Sequence, residues 1–167
     1  MDAPEFFTEP WAHAVREALQ AGPDAEVRST ALPEYWAFFD QVRSAYPASW
    51  AIGVRDLPGS GAPSYLYVRW GGGDVLDCRI IGPDDPLEAT FVLAGSYADW
   101  RALLSGYDAK RTVMYRRILL EQGAILEFFK GIYFFVECLA QIGRVPTSFP
   151  AESSPAGASR AEVPAAG

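Results

Sequence analysis

The chain has 167 residues, enough for one domain that buries about 70% of the surface its unfolded form would expose. Its 21 acidic and 14 basic side chains give a net charge of −7, which argues against a general binder of nucleic-acid phosphates, because such binding needs clustered lysines and arginines. The start, MDAPEFFTEPW, is acidic and is not followed by an uninterrupted apolar run. It therefore does not predict a signal peptide, and we expect a cytoplasmic protein.

Few residues offer metal or cofactor chemistry. Cys78 and Cys138 lie far apart, in apolar runs and without metal-binding or redox spacing, so we interpret both as reduced core thiols. The single histidine, His13, has polar and small neighbours and is interpreted as structural. The GGGD sequence lacks the lysine and hydroxyl residue of a phosphate loop, and we interpret it as a turn. We expect neither a bound metal nor a cofactor.

The apolar pattern of the first half predicts two helices and then three strands. The helices are predicted over Glu5–Ala21, capped by Thr8, and over Leu32–Ala45. From Ser49 onward the apolar period becomes two. The sequences SWAIGVR, SYLYVRW and VLDCRII, joined by glycine-rich turns, predict an antiparallel meander. In the third of these, Leu76, Cys78 and Ile80 are predicted to share the apolar face.

The second half adds two strands and three helices. ATFVLAG predicts a fourth strand, and Ser96 with Asp99 predicts the start of a helix that ends at Gly106. A short helix in DAKRTVMYRR, an edge strand in ILLEQG and a helix over 124–143 follow. Helices must cover the apolar face of such a sheet, so the fold class is α+β with two layers.

The last predicted helix is more apolar than a single packing contact requires. Its charges at Glu127, Lys130 and Glu137 make a membrane span unfavourable. One broad apolar stripe at helical spacing suffices for a core, yet Leu126, Tyr133 and Phe134 lie outside it. The surplus surface is expected to meet the other helices, a second subunit, a membrane surface or a greasy ligand.

A basic run, KRTVMYRR, precedes this apolar region. It contains Lys110, Arg111, Arg116 and Arg117, and it is the local exception to the acidic balance of the chain. Clustered cations attract anions, so the run is interpreted either as a contact for an anionic headgroup or thioester nucleotide phosphate, or as a plain solvated face.

Two sequence blocks resemble one known family. FFTEPWAHAVREAL, and above all FVLAGSYADWRALLSG followed by DAKRTVMYRRILLEQGAI, are similar to type-two sterol carrier proteins in their small stand-alone bacterial form. The matching features are a strand ending in Ala94 and Gly95, a helix with Trp100 and a leucine pair before Gly106, and a strand that runs to Gly123. The resemblance spans about residues 5–143.

The resemblance implies a five-stranded, mostly antiparallel sheet covered by helices, with an apolar tunnel for a fatty acid, fatty acyl thioester, sterol or related lipid. We place this lipid-binding domain at residues 1–145 and expect a disordered tail over 146–167. Arg116 and Arg117 are the candidates for the ligand headgroup. The expected ligand-binding residues are Trp100, Leu103, Leu104, Met114, Phe128, Phe129, Ile132, Phe135, Val136 and Leu139.

Three functions remain open at this stage. The first is a non-catalytic carrier of a lipid, with transient membrane contact, as a monomer or a homodimer. The second is an enzyme that positions a hydrophobic substrate in the same cavity; we consider it the weaker hypothesis, because the sequence contains no recognisable catalytic set. The third is an interaction module that uses its exposed aromatic surface. General acid or base candidates for the enzyme are Tyr65, Tyr67, Asp77, Glu121 and Glu127.

Overall fold

A computed structural model of the chain describes residues 2–149. Within this range there are seven helices and five strands. In chain order they are α1 (Glu9–Ala21), α2 (Ala25–Arg28), α3 (Pro33–Ala45), β1 (Ser49–Val54), β2 (Ser64–Gly71), β3 (Asp74–Ile81), β4 (Phe91–Gly95), α4 (Tyr97–Leu104), α5 (Ala109–Met114), β5 (Ile118–Gln122), α6 (Ile125–Lys130) and α7 (Ile132–Gly143).

The strands form one sheet in the order β3-β2-β1-β4-β5. Strand β1 pairs in parallel with β4, and all other neighbours are antiparallel. The tight turn between β2 and β3 explains their antiparallel pairing, since such a turn can join only antiparallel neighbours, whereas a longer loop connects β1 to β2. The predicted α+β class, with a five-stranded and mostly antiparallel sheet, is confirmed.

The core lies between one face of this sheet and the helices. Trp50, Leu66 and Leu93 project from three central strands and are almost fully buried. Helix α7 packs across them: the ring centroid of Phe135 lies 4.9 Å from that of Trp50, in an edge-to-face arrangement. On the other face, the ring of Tyr65 covers Gly53 so closely that an added Cβ would lie 2.5 Å from it.

The first helix begins later than predicted, at Glu9 rather than Glu5. The Thr8 side chain accepts a hydrogen bond from the Trp11 amide, as expected for its cap. Phe7 has a φ of 57°, a left-handed conformation that no regular helix includes. Phe6 and Phe7 are instead buried against Trp11. The short helix α2 was not predicted.

Strand β3 departs from its predicted alternation at one end. A register shift between Arg69 and Trp70 of β2 places Val75 opposite Trp70, and Val75 is buried. Leu76, predicted on the apolar face, is exposed and lies over Gly71. The bulge changes which residues face the core, because one extra residue reverses the side-chain direction.

The predicted twenty-residue last helix is wrong: the chain forms α6 and α7, separated by Gly131. The Gly131 amide bonds the carbonyl of Phe128, which gives the end of α6 a tighter turn. An added Cβ at Gly131 would lie 2.8 Å from the ring of Tyr46. No helix within residues 2–149 has both the length and the apolar character to cross a bilayer.

Three of the first four residues of the predicted tail form contacts with the N-terminal segment. Ser148 forms a parallel bridge with Glu5, and Thr147 accepts a hydrogen bond of 2.9 Å from the indole of Trp11. The Phe149 ring lies 5.4 Å from that of Phe6. The packed part of the chain thus extends beyond residue 145, while residues 150–167 of the predicted tail lie outside the described residues.

Candidate ligand-binding site

A cavity of about 650 Å³ lies between the β5 edge of the sheet and helices α5, α6 and α7. Its size falls within the usual range of small-molecule sites. Apolar side chains form nearly all of its wall. The lining residues are Leu93, Lys110, Val113, Met114, Arg116, Ile118, Leu119, Leu120, Ile125, Phe128, Phe129, Ile132, Tyr133 and Val136.

Local sequence patterns explain why these elements surround a space. On β5 the alternation of Ile118 and Leu120 directs both toward the helical layer, and Leu120 pairs with Leu93 of β4. Helix α5 begins at the predicted site, where the Asp108 carboxylate accepts hydrogen bonds from two of its amides. It is only six residues long, and it contributes Val113 to the wall.

Gly123 makes the turn from β5 into α6 possible. Its φ of 122° is a conformation that side chains other than glycine rarely adopt. An added Cβ would also lie 2.7 Å from the Phe91 ring and 2.8 Å from the Thr90 carbonyl oxygen. Phe128 is the one buried residue of α6, and its ring packs edge-on against Phe91. Helix α6 therefore closes one side of the cavity through a single buried anchor.

Five of the expected ligand-binding residues line this cavity: Met114, Phe128, Phe129, Ile132 and Val136. They come from three helices, although the sequence argument placed four of them on one continuous helix. Their role as ligand contacts stays a prediction.

The other expected contacts lie elsewhere. Trp100, Leu103, Phe135 and Leu139 are buried in the core and do not line the cavity, and Leu104 is half-buried against that core. The Trp100 indole donates a 2.8 Å hydrogen bond to the Gly53 carbonyl, which anchors α4 to β1. An apolar helical stripe alone does not reveal whether it faces packed side chains or an empty space.

The two arginines expected at the headgroup have different surroundings. Arg116 lines the cavity and has a φ of 59°, so the chain turns sharply at this residue before β5. Arg117 forms an ion pair of 2.9 Å with Asp99 and lies over the ring of Tyr107. The hydrogen bond to Asp99 raises the pKa of Arg117. The structure thus leaves Arg116 rather than Arg117 beside the cavity.

Sequence reasoning missed several lining residues. Lys110 was noted only as part of the basic run, and Val113, Leu119 and Ile125 were not assigned to the site. The position of Val113, one turn after Lys110, is a signal that the two share a wall. Leu119 lies between Ile118 and Leu120 in β5, so the alternation of that strand does not indicate its place at the cavity. Lys110 and Val136 also line an adjoining cleft of about 360 Å³, whose wall is more polar and includes Tyr107.

The candidate acids and bases of the enzymatic hypothesis do not line the cavity. Asp77, Glu121 and Glu127 form ion pairs with Arg79, Arg55 and Lys130, respectively. Tyr65 and Tyr67 lie on the outer face of the sheet. Among the described residues no cluster of three or more metal-ligating side chains is found.

The buried titratable groups have structural surroundings. Burial raises the pKa of the Cys78 thiol to about 12 and that of Cys138 well above its ordinary value, so both thiols are protonated near neutral pH. Burial also raises the pKa of Tyr35, and its 2.5 Å hydrogen bond to Glu137 adds to this effect. That bond connects α3 with α7, at the back of the cavity wall.

This arrangement defines a class of protein: an α+β domain with an apolar cavity between one sheet edge and the last helices. No protein-family model matches the sequence, and no curated protein is significantly similar to it. Solved structures do match. The crystal structure of sterol carrier protein 2 superposes with a TM-score of 0.65 at 22% identity, covering 84% of this chain and 99% of that chain.

A second solved structure gives a similar result. It is a conserved hypothetical protein from Thermus thermophilus, described as possibly a sterol carrier protein, with a TM-score of 0.63 at 21% identity. The match covers 90% of this chain and 96% of that chain. The chain therefore has the sterol carrier protein fold, and the resemblance expected from the sequence is confirmed at the level of the fold.

Proposed function

We propose that the protein is a non-catalytic carrier of a hydrophobic ligand, which it binds in the cavity beside β5. The observation that supports this most directly is the wall itself: about 650 Å³ of space with apolar side chains on nearly every side. Each buried methylene contributes about 0.8 kcal/mol before ordering costs, so an acyl chain gains substantial affinity in such a space.

The charges beside the cavity favour an acidic headgroup. Lys110 and Arg116 are its two charged lining residues, and both are cationic. Neither forms an ion pair with another described residue. A carboxylate or phosphate at the end of an acyl chain would complement them, whereas a sterol hydroxyl would not. Among the lipids considered, we therefore propose a fatty acid or an acyl thioester.

The first experiment is native mass spectrometry of protein purified without detergent, followed by solvent extraction. A stoichiometric fatty acid or acyl thioester is the expected result. An empty protein that also fails to bind added fatty acid would contradict the carrier function.

A cavity variant locates the site. Val113→Trp adds a large side chain to the wall from a half-buried position, and it should markedly weaken binding of a fluorescent fatty acid. Leu76→Trp is the matched control, because Leu76 lies half-exposed on β3 at the opposite edge of the sheet. Equal binding by both variants would place the ligand elsewhere.

A second variant tests the headgroup. Arg116→Asn removes the charge while retaining a residue type that tolerates the left-handed conformation. It should weaken fatty-acid binding by about tenfold, the value of one charge-assisted hydrogen bond, and leave the corresponding fatty alcohol unaffected. Arg111→Asn, beside the cavity but outside its wall, is the control. Equal losses for acid and alcohol would contradict headgroup recognition by Arg116.

A further inference from the structure

The mouth of the cavity is surrounded by apolar side chains that reach solvent. Five lining residues are themselves exposed, including Met114 at 73% and Phe129 at 51%, and Leu126 beside them is 76% exposed. We call this set the rim: Met114, Leu119, Ile125, Leu126, Phe129 and Tyr133. A cluster of exposed apolar side chains around an opening is typical of an interaction surface rather than of an ordinary protein surface.

Helix α6 explains why the rim is so apolar. Only Phe128 of its six residues is buried, so Ile125, Leu126 and Phe129 project outward or toward the opening. Its first residue follows Ala124, which provides no side-chain cap. The packing of the protein itself therefore does not account for these three apolar residues.

Three cationic side chains lie beside the rim. Lys110 and Arg116 line the same cavity, and Arg111 lies one helical turn before Met114 on the outer side of α5. None of the three forms an ion pair with another residue in the range 2–149. By contrast, Lys130 is paired with Glu127. A local excess of positive charge thus adjoins the rim of a chain whose net charge is −7.

We infer that the rim docks onto an anionic bilayer surface, so that the cavity opens directly toward lipid. Aliphatic and aromatic side chains would enter the boundary between headgroups and acyl chains, while the three cations contact lipid phosphates. This inference rests on the proposed carrier function, since a ligand that leaves a bilayer would enter through this mouth without crossing water.

The charge distribution favours a bilayer over a second copy of the chain. A symmetric contact through the rim would bring the cations of both copies to the same interface, where they repel. An anionic bilayer instead complements them. Because the rest of the protein is acidic, the bilayer would attract only this face and thereby orient the opening toward it.

The test is co-sedimentation with vesicles of equal parts phosphatidylcholine and phosphatidylglycerol, compared with phosphatidylcholine alone. The wild-type protein should bind the anionic vesicles more tightly, and added salt should weaken that binding. The double variant Arg111→Glu with Leu126→Ser should bind them at least about tenfold less tightly, because it reverses one charge and removes one inserted side chain. Neither residue lines the cavity.

The matched control is Arg69→Glu with Leu76→Ser, which makes the same two changes at the other end of the sheet. It should bind the vesicles like the wild-type protein. Failure of the wild-type protein to bind, or an equal loss in both double variants, would overturn the inference. A dimer that the rim variant disrupts, without vesicle binding, would identify a second copy as the occupant and overturn it as well.

Fatty-acid binding in the absence of vesicles separates this inference from the proposed function. The rim variant should retain that binding, which also shows that it is folded. If the wild-type protein binds fatty acid but not vesicles, the docking inference alone fails. If it binds vesicles but no fatty acid, the carrier function fails while the docking surface stands.

Discussion

Trp100 is a clear case of a residue whose sequence context suggests ligand contact while its structural context is packing. Its ring lies within 5.6 Å of Phe6 and within 5.4 Å of Phe7, centroid to centroid, and its indole bonds the Gly53 carbonyl. The residue thereby connects the N-terminal segment, α4 and the central strand. Its surroundings are those of a structural side chain, and it does not line the cavity.

Trp100→Phe should therefore lower the free energy of unfolding by about 1–3 kcal/mol, since it removes a buried hydrogen bond and part of a packed ring. Fatty-acid affinity should stay within about twofold of the wild-type value. Urea unfolding measures the first quantity and fluorescence titration the second. Trp36→Phe is the control, because the Trp36 indole has no hydrogen-bond partner among the described residues. This substitution should therefore lower the free energy of unfolding by less than Trp100→Phe does. A loss of fatty-acid affinity with unchanged stability would show that Trp100 contacts the ligand.

The buried thiol of Cys78 gives a prediction about pH. Its ordinary pKa is 9.0, and burial raises the pKa to about 12 in the folded protein. Between these values the unfolded state has released its proton while the folded state keeps it. Stability is therefore fully present below pH 9 and falls by about 1.4 kcal/mol per pH unit as the pH rises toward the folded pKa.

The Cys78→Ala variant lacks this titrating thiol. The stability of the variant relative to the wild-type protein should therefore improve as the pH rises from 9 to 12. Urea unfolding of both proteins, at about pH 8 and about pH 10, measures the change. Cys138 is present in both proteins and cancels in the comparison. A stability difference that does not change with pH would show that Cys78 ionises normally in the folded state.

At the scale of elements, Gly131 separates α6, which has a single buried residue, from α7, which fills the core and also lines the cavity. Gly131→Ala should destabilise the protein by about 1–3 kcal/mol, because the new methyl group would meet the Tyr46 ring at 2.8 Å. Gly61→Ala is the matched control, since an added Cβ there has open space and the substitution should be neutral or slightly stabilising. Urea unfolding midpoints compare the two. Equal midpoints would show that Tyr46 can move away at little cost.

The elements differ in how far their sequences predict them. The strands β2 and β5 were predictable because a period of two is typical of half-buried strands, whereas β1 is buried on both faces although its sequence alternates. The cap at Ser96 was predictable because its side chain accepts a hydrogen bond from the Asp99 amide nearby in sequence. The break at Gly131 was not predictable, since the close approach of Gly131 to the Tyr46 ring involves a residue far away along the chain. The bulge in β3 similarly depends on pairing with β2.

The candidate site was predictable only in part, for a related reason. Apolar spacing identified α7 correctly as a packing helix, yet Phe135 and Val136 are adjacent in sequence, and only Val136 reaches the cavity. Whether an apolar side chain meets other atoms or an empty space depends on the position of three other elements. The residues of α5 and β5 complete the wall, and their own patterns are too short to indicate it.

At the scale of the whole molecule, the proposed carrier function predicts that ligand binding and stability are coupled. Around the cavity of about 650 Å³, which opens to solvent at the rim, apolar side chains lack part of the contacts that packing would give them. Bound ligand restores these contacts in the folded state only, because the unfolded chain has no cavity. The folded protein is therefore expected to be markedly more stable with its ligand than without it.

Fatty acid at about 100 times its dissociation constant should raise the free energy of unfolding by about 2.7 kcal/mol. The stabilisation should grow with the logarithm of ligand concentration, as linkage requires, and urea unfolding at several concentrations measures it. Val113→Trp, whose larger side chain occupies part of the cavity, should show a much weaker response, whereas Leu76→Trp should respond like the wild-type protein. Stabilisation of all three proteins to the same extent would mean that the fatty acid binds outside the cavity. The proposed link between occupancy of the cavity and stability would then be wrong.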